Sequence, residues 1–100
     1  MYTGTTPTLT FTFADFDPSD ADSVILTFSV GNRPFLELDE GDLTITSSAI
    51  SVALTQAQTL AFPLGSVRCQ INFLFDDGSR AATDIVHINI FQNLHSAEMT

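Results

Sequence analysis

Apolar and polar residues alternate with a period of two through most of this chain, and the longest such stretch runs from Val67 to Phe91. Val67, Cys69, Ile71, Phe73 and Phe75 take every second position, with Arg68, Gln70 and Asn72 between them, the pattern of a half-buried strand. A second arm sets Ala82, Val86, Ile88 and Ile90 against Thr83, His87 and Asn89. Between the arms lies Asp76-Asp77-Gly78-Ser79. Its Asp-Gly pair suits a type I′ turn, whose two central residues both need positive φ. With Asp77 and Gly78 as the loop, Phe73 faces Ala82, Cys69 faces Val86 and Val67 faces Ile88. The same register sets Asp84 opposite Ile71 on the apolar face, which predicts a bulge near Thr83 and Asp84, or a carboxylate at the sheet margin.

The rest of the chain continues the pattern in shorter pieces. Residues 1–7 are small and polar and end in proline, so they read as an extended, loosely ordered arm whose loss the core should tolerate. Thr8 to Phe13 alternates threonine with Leu9, Phe11 and Phe13, a first strand. The Asp15 to Asp22 segment interrupts it, and the Ser19/Asp22 spacing allows one helical turn. Ser23 to Val30 alternates again, Gly31-Asn32-Arg33-Pro34 turns the chain, and Phe35 to Leu38 returns alongside. Leu43 to Thr46 and Ile50 to Leu54 complete what looks like a meander from Leu36 to Leu54. Thr55-Gln56-Ala57-Gln58 has the capping-box pattern, so a helical turn is expected near residues 55–61, closed by Pro63 and Gly65. Residues 93–100 lack periodicity and read as a flexible tail.

Roughly seven short strands with regular turn signals argue for an all-β fold, a two-sheet antiparallel β-sandwich of immunoglobulin-like topology spanning residues 8–92. An open barrel is the rival, because alternation decides which face is buried but not how the sheets connect. The cysteine and tryptophan hallmarks of antibody domains are missing, since Cys69 is the only cysteine and there is no tryptophan.

Composition narrows the function classes. A chain of 100 residues forms one domain with its own core, and nine phenylalanines supply much of that core. Twelve acidic residues against three basic ones give a formal charge of -9, which repels phosphate backbones and anionic lipid. The expectation is no nucleic acid and no membrane among the partners. A single cysteine excludes an intrachain disulfide, and the inward position of Cys69 suits a buried small hydrophobe better than a reactive thiol. No apolar stretch approaches the ~20 residues of a membrane-spanning helix, and the start lacks signal-peptide character, so synthesis and retention in the cytoplasm until assembly or lysis is expected.

Candidate chemistry is sparse. Asp15, Asp17, Asp20 and Asp22 crowd hard oxygen ligands into one loop, as a calcium site would require. Counted from Asp15, however, the sixth and twelfth positions of an EF-hand fall on Asp20 and Leu26 in place of Gly and Glu, so a solvated turn is the better reading. Asp39, Glu40 and Asp42 read as an ordinary wet turn. His87 lies on the outward side of a strand and His95 in the tail, too far apart in pattern to make a metal site. Asp84 and His87 face opposite sides of a strand, which removes them as a catalytic couple. There is no nucleophile elbow and no glycine-rich phosphate loop. No catalytic, cofactor-binding or metal-binding residue is assigned, no cofactor is implied, and no enzymatic activity is expected.

The order of the motifs carries a resemblance over nearly the whole chain. Tyr2-Thr3-Gly4-Thr5-Thr6-Pro7-Thr8-Leu9-Thr10-Phe11 is followed by Phe16-Asp17. Then come Leu54-Thr55-Gln56-Ala57-Gln58-Thr59-Leu60-Ala61-Phe62 and a strand ending in Asp-Gly before Ala81-Ala82-Thr83-Asp84-Ile85. This succession resembles a family of small structural proteins in phages and prophages of gut Firmicutes. It is similar to the immunoglobulin-like amino-terminal domain of baseplate upper proteins, although these 100 residues are expected to leave no room for a receptor-binding domain, and the chain is more acidic and poorer in lysine than expected of that family. The resemblance implies a non-enzymatic virion component of tail or baseplate, located in the virion and acting on other virion proteins. Separately, the half-polar Tyr2 beside Gly4 and Pro7 suits the arm to self-association or to attachment to a virion partner. Head decoration or neck protein, or a small module binding carbohydrate or calcium, are the alternatives. Exposed aromatics of the kind sugar platforms use are lacking, with Tyr2 the only tyrosine and placed in the arm.

Overall fold

The computed structural model describes residues 1–99 and contains eight strands in two antiparallel sheets. β1 (Thr8–Thr12), β5 (Ala49–Ala53) and β4 (Thr44–Ile45) form the smaller sheet in the order β1-β5-β4. β3 (Arg33–Asp39), β2 (Ser23–Val30) and β6 (Gly65–Leu74) form the larger one, with β7 (Arg80–Ala82) and β8 (Val86–Ile90) both lying along the far side of β6. The sandwich expected from the alternation is therefore the observed fold. Its orders β1-β5-β4 and β3-β2-β6-β8 match strands B-E-D and C′-C-F-G of an immunoglobulin sandwich, and no strand occupies the place of A beyond β1 among the described residues.

Alternation explains the core directly. Val24, Leu26 and Phe28 from β2, Val67, Cys69, Ile71 and Phe73 from β6, and Ile50 and Val52 from β5 all point inward and are buried. Each large apolar side chain so buried contributes about 1.5–3 kcal/mol. Phenylalanine closes both ends. Phe13 and Phe16 pack edge-on against Phe73 at 5.8 and 4.9 Å between ring centroids, while Phe28 and Phe35 both meet Phe62, at 5.2 and 5.1 Å.

The helical turn at α1 (Gln56–Leu60) stands where the capping box placed it. Thr55 Oγ1 accepts from the Gln58 N–H at 3.1 Å, and Gln58 Oε1 accepts from the Thr55 N–H at 2.9 Å. The turn in the aspartate loop begins earlier than the Ser19/Asp22 spacing suggested. It is a 3-10 turn at Pro18–Asp20 capped by Asp17, because proline is pre-set for a first helical position and the Asp17 carboxylate reaches the Ser19 N–H.

Two expectations of connectivity fail. The meander from Leu36 to Leu54 does not form: β3 pairs only with β2, and a capped 3-10 turn at Glu40–Asp42 carries the chain to the other sheet. The hairpin turn is not type I′ either. Phe75 N–H donates to Ser79 O at 3.0 Å and Gly78 N–H to Phe75 O at 3.0 Å, leaving a three-residue loop in which Gly78 alone has positive φ, +86°. The longer loop moves the register by one, so Phe73 faces Ala81 and Ala82 lies opposite Asn72 on the outer face. Beyond Thr83 the expected register returns, with Cys69 opposite Val86 and Val67 opposite Ile88. The compensating extra residue is the bulge expected at Thr83 and Asp84. Thr83 Oγ1 accepts from the Ile71 N–H at 3.1 Å and donates to Asp84 O at 3.0 Å, which supplies the partners that the broken ladder lacks.

The first seven residues are extended, but not loose. Met1 O accepts from the Phe91 N–H at 2.8 Å, Thr3 N–H donates to Phe91 O at 3.0 Å, and the Met1 ammonium donates to Asn89 O at 2.8 Å. The arm thus adds a parallel bridge, Tyr2 to Phe91, at the end of β8, and Thr3 is buried beneath it. At the other terminus the Gln56 side chain brackets the Met99 backbone, at 2.9 and 2.8 Å. Thr100, the last residue of the expected tail, lies outside the described residues.

Candidate functional site

Several of the carboxylates are committed to backbone and hydroxyl partners within the fold. Asp17 accepts the N–H and hydroxyl of Ser19, Asp39 accepts the Gly41 N–H at 2.9 Å, and Glu40 accepts the Val24 N–H at 3.3 Å. Asp77 accepts the Ser79 hydroxyl and N–H at 2.6 and 2.8 Å. The hydroxyl bond first, then the N–H bond, hold its carboxyl below the ordinary 3.8. Among the described residues no three of the His, Cys, Asp and Glu side chains converge on a metal-sized point, the Asp15 to Asp22 loop included.

Tertiary structure nonetheless gathers these carboxylates at one end of the molecule. Ser23 pairs with Leu74, Ile25 with Asp39, and Asp22 N–H donates to Leu74 O, so three separate turns lie side by side. The 15–22 loop brings four carboxylates, the 39–42 turn three and the 76–77 turn two, nine of the twelve in the chain. Only Arg80 counters them there, and its guanidinium donates to Asn72 Oδ1 at 3.3 Å. The other end carries Arg33, the Met1 ammonium, and Arg68, which donates to Gly31 O at 3.0 Å. The molecule is 47 Å in its longest dimension, and its sandwich carries most of its carboxylates at one end of the strands.

His87 is exposed on the outer face opposite Arg68, and His95 is exposed beyond Asn93. Cys69 is buried, and burial pushes its thiol up from 9.0 to about 11. Tyr2 and Phe91 form an exposed aromatic pair with ring centroids 5.6 Å apart. The sequence did not mark that pair, because Tyr2 and Phe91 stand at opposite ends of the chain. The concavities are open surface grooves of about 240 to 320 Å³. One of them runs between Phe13, Phe16, Phe73 and the β7 residues Ala81 and Ala82.

The sheet edges differ sharply in how they are protected. β3 carries Pro34, Arg33, Glu37 and Asp39, β4 is two residues long, and the β7–β8 edge is broken by its bulge and capped by the arm. These are the ordinary devices that stop a sheet edge from pairing with another chain. β1 has none of them: Thr-Leu-Thr-Phe-Thr is uncharged, lacks proline, and keeps one register against β5 throughout. Leu54 N–H donates to Pro7 O and Phe13 N–H to Ser48 O, so the odd-numbered residues bond inward to β5. By the alternation of an antiparallel ladder, the N–H and C=O groups of Thr8, Thr10 and Thr12 point outward. They meet no backbone partner there among the described residues.

Comparison of the chain with family models, with curated proteins and with solved structures found no match.

Proposed function

We propose that this protein is a structural or assembly module of a phage virion, associated with tail or baseplate, and that it acts through protein–protein contacts. The observation that supports this reading is the bare edge of β1, since an unguarded strand offers main-chain donors and acceptors to another chain by strand addition. The phage assignment leans on the resemblance carried by the Gly4-Thr5-Thr6-Pro7-Thr8 opening and the Leu54 to Phe62 segment. Partners on this reading are other virion proteins, met in the host cytoplasm during assembly. The charge of -9 speaks against DNA or anionic lipid as the surface bound.

Mass spectrometry of purified particles, with tails separated from heads, tests the proposal. The expected result is this chain in the tail fraction at a constant ratio to tail proteins. Recovery in the head fraction alone would move it to a decoration or neck role, and absence from particles would overturn the reading.

A further inference from the structure

We infer that the free edge of β1 is the dyad interface of a homodimer, in which two copies of β1 pair antiparallel with Thr10 of each copy directly opposite Thr10 of the other. This deepens the reading of β1 as a docking edge and names its occupant as a second copy of the chain. It does not depend on the phage assignment.

The strand is its own complement. Thr8, Thr10 and Thr12 send their backbone groups outward. Pairing about Thr10 joins Thr8 to Thr12, Thr10 to Thr10 and Thr12 to Thr8, so every outward donor meets an outward acceptor. Side chains agree with this register. The three threonines share the outer face, while Leu9 and Phe11 share the core face, where each would lie opposite the other across the dyad. The result is one continuous six-stranded sheet in the order β4-β5-β1-β1-β5-β4.

Charge selects this arrangement over the alternatives. Phe13 and Phe16 pack on Phe73 and Phe75, so β1 runs toward the acidic end of the molecule. Antiparallel pairing sets the acidic end of each copy beside the end that carries Arg33, Arg68 and the Met1 ammonium. Parallel pairing would stack the two acidic ends. At physiological salt a charge is felt over about 8 Å, short against a molecule 47 Å long, so the two acidic ends do not oppose the dimer. A single five-residue strand pair buries less than the ~1,200 Å² of a stable interface, so the association is reversible.

The test uses full-length protein. Sedimentation over a range of concentrations should show a monomer–dimer equilibrium. Thr10→Pro removes the two central donors and no backbone bond to β5, only the exposed Thr10 Oγ1–Ser51 Oγ contact at 3.3 Å, so dimerisation should weaken about tenfold or more while the dilute protein melts close to the parent. Thr10→Lys, an edge charge that spares the backbone, should act in the same direction if the proline variant folds poorly.

Register is read by cross-linking. Residues opposed across a hydrogen-bonded pair sit ~5.5 Å apart at Cα, within disulfide range, whereas Thr8 lies about 14 Å from its counterpart. Thr10→Cys should therefore oxidise to a covalent dimer, and Thr8→Cys and Thr12→Cys should do so only when mixed. Buried Cys69 does not compete. A monomer at every concentration overturns the inference, and so does a dimer indifferent to Thr10→Pro and Thr10→Lys or equal cross-linking by Thr8→Cys alone. Such a failure with the chain still present in purified tails would assign the edge to a different virion protein, leaving the broader function intact.

Discussion

The hydroxyl of Thr59, which has no exposed surface, donates to the backbone carbonyl of Thr5 at 2.7 Å. That bond fastens the helical turn to an arm 54 residues earlier in the chain. Thr59→Val replaces the hydroxyl by a methyl of similar size and leaves the Thr5 carbonyl without its donor. The expected cost is about 1–3 kcal/mol, a fall in melting temperature of several degrees for a domain of this size. Calorimetry of the variant checks it, and an unchanged transition would mean that water replaces the hydroxyl at no cost.

Removal of residues 1–6 should destabilise the sandwich. Deletion forfeits the bonds to Phe91, Asn89 and Thr59 and uncovers the site where Thr3 is buried. With each bond worth ~1 kcal/mol net and the entropy of ordering the arm set against them, a loss of about 2 kcal/mol is expected. Urea denaturation of the truncated chain should show the midpoint falling, with the slope nearly constant.

Gly78→Val should harm the fold more than removal of any single carboxylate in the Asp15 to Asp22 loop. Nothing lies within 4 Å of a Cβ added at Gly78, so the penalty is backbone strain alone at φ +86°. A β-branched residue held there costs about 1–3 kcal/mol. Asp17→Ala, which removes the cap on the Ser19 N–H, should cost ~1 kcal/mol. Thermal melts of the two variants side by side decide the order.

Cys69 should resist a water-soluble thiol reagent at pH 8 in the folded protein and react at once in denaturant. Its folded thiol titrates near 11 against an ordinary 9.0, so the folded state holds the proton more tightly. The associated stability is complete below pH 9 and is lost as pH rises from 9 toward 11. Cys69→Ala should flatten the decline in melting temperature over that interval, whatever its own packing cost. An equal decline in parent and variant would show that another group sets the alkaline limit.

The strands themselves follow from side-chain chemistry. A period of two in Ser23 to Val30 or Val67 to Phe73 can bury its apolar side chains only as a strand on a core, and Thr55 with Gln58 can satisfy each other's backbone only as a capped turn. Those are local constraints, and the chain states them openly. Register near Asp77 and the route from β3 to β4 were decided elsewhere, because a three-residue loop and a two-residue loop suit the same Asp-Gly pair, and alternation does not say which sheet a strand joins. The arm is the clearest case. Nothing in Met1 to Pro7 announces a partner, yet the end of β8 presents unpaired groups at Phe91 that only a chain arriving from elsewhere could meet. The same holds for the acidic end and for the bare edge of β1. Carboxylates scattered over three turns become neighbours only when β2, β3 and β6 align, and Thr-Leu-Thr-Phe-Thr reads like any strand until the fold leaves one of its sides without a neighbour.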